Sequence, residues 1–140
     1  MIKLIIADDH AVVRKGLKQI FEETSDIVVA GEANSGNELL EKLRREDFDV
    51  VILDISMPGK DGLDTLKEIK AIKPNLPVLI FTIYPEEQYA LRVLKAGAAG
   101  YINKESEPEI LIEAIRKVSQ GRKYISVSYT HLTLPTIYSV

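Results

Sequence analysis

The 140-residue chain has no cysteine. That removes a disulfide framework and any thiolate-ligated zinc site, and it fits a reducing compartment. Charge of one sign is also lacking, since 21 acidic and 18 basic side chains leave −3. A chain that binds nucleic acid through bulk charge would be strongly basic. No apolar run approaches the about 20 residues of a membrane-spanning helix. The N-terminus reads straight into a strand pattern, with no signal peptide ahead of it. No internal repeat is present, and no Ser- or Gly-rich linker divides the chain before residue 121. These absences point to one cytoplasmic domain. Apolar residues make up 46% of it, enough for a core that folds without a metal or disulfide staple.

Five short apolar runs are present: 2–7, 27–31, 49–54, 77–82 and 98–103. They are continuous rather than alternating, as in strands covered on both faces of a parallel sheet. They are too short for buried helices. Amphipathic stretches lie between them at 12–23, 37–46, 62–72, 86–97 and 107–121. Their apolar stripes are Val13, Leu17, Ile20 and Phe21; Leu39, Leu40 and Leu43; Leu63, Leu66, Ile69 and Ile72; Ala90, Val93 and Leu94; and Ile110, Leu111, Ala114, Ile115 and Val118. Gly97 and Gly121 read as helix stops, and Pro108 suits a first helical turn. The pattern predicts a doubly wound (βα)5 α/β fold. Right-handed crossovers then place every strand's C-terminal end on one edge.

Asp8 and Asp9 follow the first run, and Asp54 ends the third. In a doubly wound sheet these ends meet where the strand order reverses. Three carboxylates that close cannot all stay ionised in a dry site unless a cation joins them. Oxygen-only ligands favour a hard divalent ion, Mg2+ first among them. Thr82 ends the fourth run and Lys104 follows the fifth. A hydroxyl and an ammonium facing metal-bound carboxylates make a phosphoryl pocket, with Asp54 as nucleophile. Taken singly, each residue has a plainer reading. An acidic pair can cap a helix, an Asp or Thr can end a strand, and a lysine can be solvated. The joint placement of all five at strand ends, in order, carries the argument. His10 reads as a surface or capping residue, and Tyr101 as a half-buried strand aromatic.

The motifs "ADDH" (7–10), "LDISMPGKDGL" (53–63), "IFT" (80–82) and "GYINK" (100–104) resemble the receiver domain of two-component response regulators. The resemblance covers residues 2 to about 122. It implies a flavodoxin-like sheet of order 2-1-3-4-5, with Asp54 as phosphoacceptor. It further implies that Asp9 and Asp54 bind Mg2+ directly, that the Ser56 backbone carbonyl is a third ligand, and that Asp8 acts through water. Lys104 would contact the phosphoryl group. Thr82 and Tyr101 would be the switch pair, and Pro58 and Gly62 would shape the loop after the nucleophile. The expected partner is a sensor histidine kinase, with homodimerisation on phosphorylation through the fourth helix, fifth strand and fifth helix or through the first and fifth helices.

The stretch 16–43 resembles the NarL/FixJ (LuxR-type) subgroup, whose members usually carry a helix-turn-helix output domain. DNA would then be read by that domain and not by this fragment. Two residues depart from the commonest pattern: Glu105 stands where many receivers have proline, and Ile83 where many have a small residue. Two competing readings fit less well. A haloacid dehalogenase-type phosphatase wants Asp-x-Asp, and the second position here is Ser56. A nucleotide- or flavin-binding module wants a Gly-rich first loop, where this chain has acids.

Residues 1–122 are thus expected to form the receiver and 123–126 to begin a linker. Residues 127–140 carry no charge and no helical stripe. Val127–Thr136 reads as the in-frame translation of GTC TCT TAT ACA CAT CTG ACG CTG CCG ACG. That sequence resembles the adapter of transposase-made sequencing libraries, so the segment is expected to be non-native.

Overall fold

The structure is a computed structural model that describes residues 1–57, 61–84 and 86–125, with backbone only for 86–89 and 125. The expectations for Pro58 and for residues 127–140 fall outside the described residues. The strands are β1 (Ile2–Ala7), β2 (Ile27–Ala33), β3 (Val50–Leu53), β4 (Val78–Thr82), β5 (Gly100–Asn103) and β6 (Tyr124–Ile125). The helices are α1 (Ala11–Glu22), α2 (Gly36–Arg45), α3 (Gly62–Ile72), α4 (Glu86–Lys95) and α5 (Pro108–Ser119). All strand pairs are parallel. The sheet runs β2-β1-β3-β4-β5-β6, which contains the expected 2-1-3-4-5 order.

The continuous apolar runs divide between two cores by strand alternation. Ile5, Ala7, Val51, Leu53, Val78 and Ile80 face one layer, with α2, α3 and α4 over them. Leu4, Ile6, Val50, Ile52, Leu79 and Phe81 face the other, under α1 and α5. Every residue of β3 and β4 is therefore buried between the two helical layers, which is why in-out polarity is absent from those runs. Burying one such Leu or Ile side chain contributes about 1.5–3 kcal/mol.

Helix ends follow the local chemistry. Ser35 Oγ accepts the Glu38 N–H at 3.1 Å to cap α2, and Asp61 Oδ1 accepts the Leu63 N–H at 3.0 Å at α3. Gly97 closes α4 with φ +106°. The Ala98 N–H reaches back to the Val93 carbonyl and the Gly97 N–H to the Leu94 carbonyl, the hydrogen bonds of a Schellman motif.

Three expectations are corrected. Ile72 is 37% exposed, because α3 ends at that residue. Leu91, rather than Leu94, packs against the core from α4. Tyr101 is fully buried, not half-buried, because its strand lies under helices on both faces. The sheet also continues into the segment expected to begin a linker: β6 pairs Tyr124 with Gly100 and Ile125 with Tyr101. No cis peptide bond occurs among the described residues, in keeping with Glu105 after Lys104. Among the described residues no helix is long and apolar enough to cross a membrane.

Candidate functional site

The strand order reverses between β1 and β3, and the acids meet there. The Asp54 N–H donates to the Ala7 carbonyl at 3.0 Å, fixing the end of β3 against the end of β1. The Asp8 N–H donates to the Ala33 carbonyl at 3.0 Å, fixing the same point to β2. Asp8 and Asp54 are 2% and 1% exposed. Such buried carboxylates need partners.

Those partners are specific. Lys104 Nζ donates to Asp8 Oδ2 at 2.8 Å and to Asp54 Oδ2 at 3.0 Å. The other Asp54 oxygen, Oδ1, accepts the Ser56 N–H at 3.0 Å and the Ser56 hydroxyl at 2.8 Å. Asp8 Oδ1 accepts the His10 N–H at 2.8 Å. Burial opposes the charge on Lys104, but the Asp8 and Asp54 carboxylates outweigh it and hold the ammonium's pKa above the ordinary lysine value.

Asp9 differs from its neighbours. Its Oδ1 is buried and has no hydrogen-bond partner. The His10 ring lies 3.2 Å away, in range for an ion pair when the imidazole is protonated but without hydrogen-bond geometry. His10 itself is the N-cap of α1, yet its side chain caps nothing; the ring is 61% exposed and turned toward Asp8 and Asp9. Ligand atoms of Asp8, Asp9, His10 and Asp54 all lie within 4.8 Å of one another. Two of the three carboxyl groups thus share one ammonium, and a buried oxygen of the third, Asp9, is unsatisfied. This oxygen-rich donor set fits a hard divalent cation such as Mg2+.

Thr82 and Lys104 reach the same edge. Thr82 is fully buried, and its carbonyl accepts the Lys104 N–H at 2.9 Å. Its hydroxyl accepts the Tyr84 N–H at 3.4 Å and, among the described residues, bonds neither Asp54 nor Lys104. The Tyr101 hydroxyl donates to the Tyr84 carbonyl at 2.7 Å, so the β5 aromatic is tied to the loop that follows Thr82. Gly62 shapes the loop after Asp54: a Cβ there would stand 2.3 Å from Ile55 Cα. Ile83 is 64% exposed beside the site edge.

Two contacts escape sequence reading. One is the Ser56 side chain on Asp54, hidden because serine in a turn has many uses. The other is Arg14 of α1, whose guanidinium donates to the Asp8 carbonyl at 2.5 Å. Its position one turn beyond His10, facing the end of β1, is the only sequence signal.

Residues 4–116 match the model of the response regulator receiver domain. The chain is 36% identical over 126 residues to the response regulator UvrY of Escherichia coli (strain K12), covering 90% of this chain and 58% of that protein. It is 43% identical over 129 residues to the oxygen regulatory protein NreC of Staphylococcus epidermidis, covering 91% of this chain and 59% of that protein. The chain therefore spans less than two thirds of either relative. Among solved structures, the isolated REC domain of RcsB from Salmonella enterica serovar Typhimurium, in the presence of phosphomimetic BeF3-, superposes with a TM-score of 0.87 at 30% identity. The superposition covers 95% of this chain and 99% of that one.

Proposed function

This chain belongs to the response regulator receiver domain family, phosphorylatable switches of two-component signalling rather than metabolic enzymes, and on that premise we propose that Asp54 is its phosphoacceptor. The observation that carries the reading is the meeting of a 1% exposed Asp54 with Lys104 Nζ at 3.0 Å and with Asp8 on the same ammonium. The proposed donor is a phosphohistidine on a sensor histidine kinase. Asp54 Oδ2 attacks phosphorus, an O–P bond forms, the N–P bond breaks, and the imidazole leaves with the electron pair. Small phosphodonors such as acetyl phosphate serve in the same way, so self-catalysed phosphorylation belongs to the proposal.

Lys104 would pass one hydrogen bond from Asp54 to a phosphoryl oxygen while keeping Asp8. Ser56 holds Asp54 Oδ1, which orients Oδ2 toward the incoming group. Asp9 and Asp54, with the Ser56 carbonyl, would hold Mg2+ directly and Asp8 through water. When bound, that ion supplies positive charge against the developing phosphoryl charge.

The switch pair is proposed to be Thr82 and Tyr101. The Thr82 hydroxyl, engaged among the described residues by the Tyr84 N–H alone, would turn to the phosphoryl group. The loop carrying Tyr84 would follow, and the Tyr101 hydroxyl is bonded to that loop. Only such differential contacts can bias two conformations. The readout is proposed to be altered homodimerisation and control of transcription through a helix-turn-helix output domain, in the cytoplasm. The receiver is proposed to run to residue 122, with the 123–126 linker starting on the sheet edge as β6 and 127–140 as adapter translation. A genomic clone encoding the same tail would overturn that part.

The test of the switch uses beryllofluoride with Mg2+, which imitates an acyl phosphate. The Tyr101 ring resonances should shift in the parent and shift far less in Thr82→Ala, with binding retained in both. Equal shifts in the two proteins would remove Thr82 from the switch.

A further inference from the structure

A side chain outside the proposed reaction reaches the β1–α1 turn. Arg14 reaches from α1 to the Asp8 carbonyl, with Nη1 at 2.5 Å. The same guanidinium donates Nε to Glu32 Oε1 of β2 at 3.0 Å. Glu32 is held in turn: Lys18 Nζ donates to its Oε2 at 2.8 Å, and Lys42 Nζ donates to its backbone carbonyl. The Lys18 ammonium, outweighing the cost of burial and aided by Arg14, keeps the Glu32 carboxyl below the usual carboxylate range, so the clamp stays charged near neutral pH. The Arg14 side chain is only 18% exposed, and the planar guanidinium presents its donors in a fixed fork.

The Asp8 carbonyl belongs to the peptide that leads into Asp9. A peptide unit is planar, so fixing that oxygen fixes the plane containing the Asp9 Cα. It also limits where the Asp9 carboxylate can swing. Asp9 carries the one buried side-chain oxygen without a hydrogen bond among the described residues. We propose that Arg14, braced by Glu32, is a positioning residue for divalent-cation binding, holding the Asp8–Asp9 peptide so that the Asp9 carboxylate is preset for the ion. The inference rests on the reading of the acidic cluster as a Mg2+ site.

One effect opposes it. A cation beside the pocket repels Mg2+, so removing Arg14 could tighten binding. Glu32 offsets that charge at 3.0 Å, whereas nothing else among the described side chains holds the Asp8 carbonyl. Positioning should therefore win. Outer partners that orient metal ligands typically set affinity by about 10–100-fold.

The experiment is calorimetric titration of the full chain with MgCl2, alongside thermal midpoints in EDTA and in excess Mg2+. Arg14→Ala should raise the Mg2+ dissociation constant by about tenfold. Arg14→Lys, which keeps the charge but not the fork, should recover only part of the loss. The Mg2+-dependent rise in midpoint should shrink in step. If Arg14→Ala does not fold, Glu32→Gln loosens the brace and should weaken binding by a smaller factor. Unchanged or tighter binding in Arg14→Ala overturns the inference. So does a lower metal-free midpoint with the dissociation constant unaltered, which marks a merely structural contact. A parent that binds no Mg2+, with Asp9→Ala indistinguishable from it, instead overturns the metal-site reading and this inference with it.

Discussion

Asp9 sits beside two acids that have found partners while one of its own buried oxygens has none. An unsatisfied buried acceptor costs about 1–3 kcal/mol, a penalty that a bound cation would relieve. Excess Mg2+ should therefore raise the thermal midpoint of the parent by several degrees, about 2.7 kcal/mol at a hundredfold excess over the dissociation constant. Asp9→Ala should lose that rise. His10→Ala should keep most of it, because its ring is 61% exposed and makes no hydrogen bond to the orphaned oxygen. Differential scanning fluorimetry with and without Mg2+ checks both, and the reverse ranking would make His10 the ligand. At this scale the sequence showed Asp8, Asp9, Asp54, Thr82 and Lys104, because strand ends in a parallel sheet are predictable and these residue types are chemically distinctive. It did not show Ser56 or Arg14 supporting them. Those contacts depend on a turn and a helix rotation that periodicity does not specify.

The elements themselves were largely legible. Continuous Val- and Ile-rich runs can be satisfied only by helices on both faces, and glycine at 97 and 121 marked two helix ends. β6 was not legible, since two residues carry no period. What places it is a close approach at Gly100, where an added Cβ would stand 2.3 Å from the Tyr124 carbonyl oxygen and 2.8 Å from Leu79 Cδ1. The Tyr124 N–H donates to the Ala99 carbonyl at 2.9 Å, and Lys117 Nζ lies 5.6 Å from the ring centroid. Gly100→Ala should therefore displace β6 and cost about 1–3 kcal/mol. Hydrogen exchange should show the Tyr124 amide losing protection while β1 and β3 keep theirs. Full protection at Tyr124 in the variant would mean that the sheet edge tolerates a methyl group there.

For the whole molecule, the charge pattern of the site reaches into stability. Burial works against the Lys104 charge, and Asp8 and Asp54 more than reverse it, so its folded pKa lies above the ordinary value. The stabilisation it adds is then full below the unfolded lysine value of about 10.4 and is lost as pH rises through the folded one. Without Mg2+, the parent's midpoint should fall more steeply on the alkaline side than that of Lys104→Met, which is less stable near neutrality but flatter there. Parallel curves would show that the lysine contributes no linkage. Placing a nucleophile, a cation site and a lysine where three strands end is the central claim, and intact-mass measurement tests it most directly. After incubation with acetyl phosphate and Mg2+, the parent should gain one acid-labile phosphoryl group and Asp54→Asn none. Equal uptake by the Asp54→Asn variant, or a parent that binds Mg2+ and gains nothing, would contradict the account.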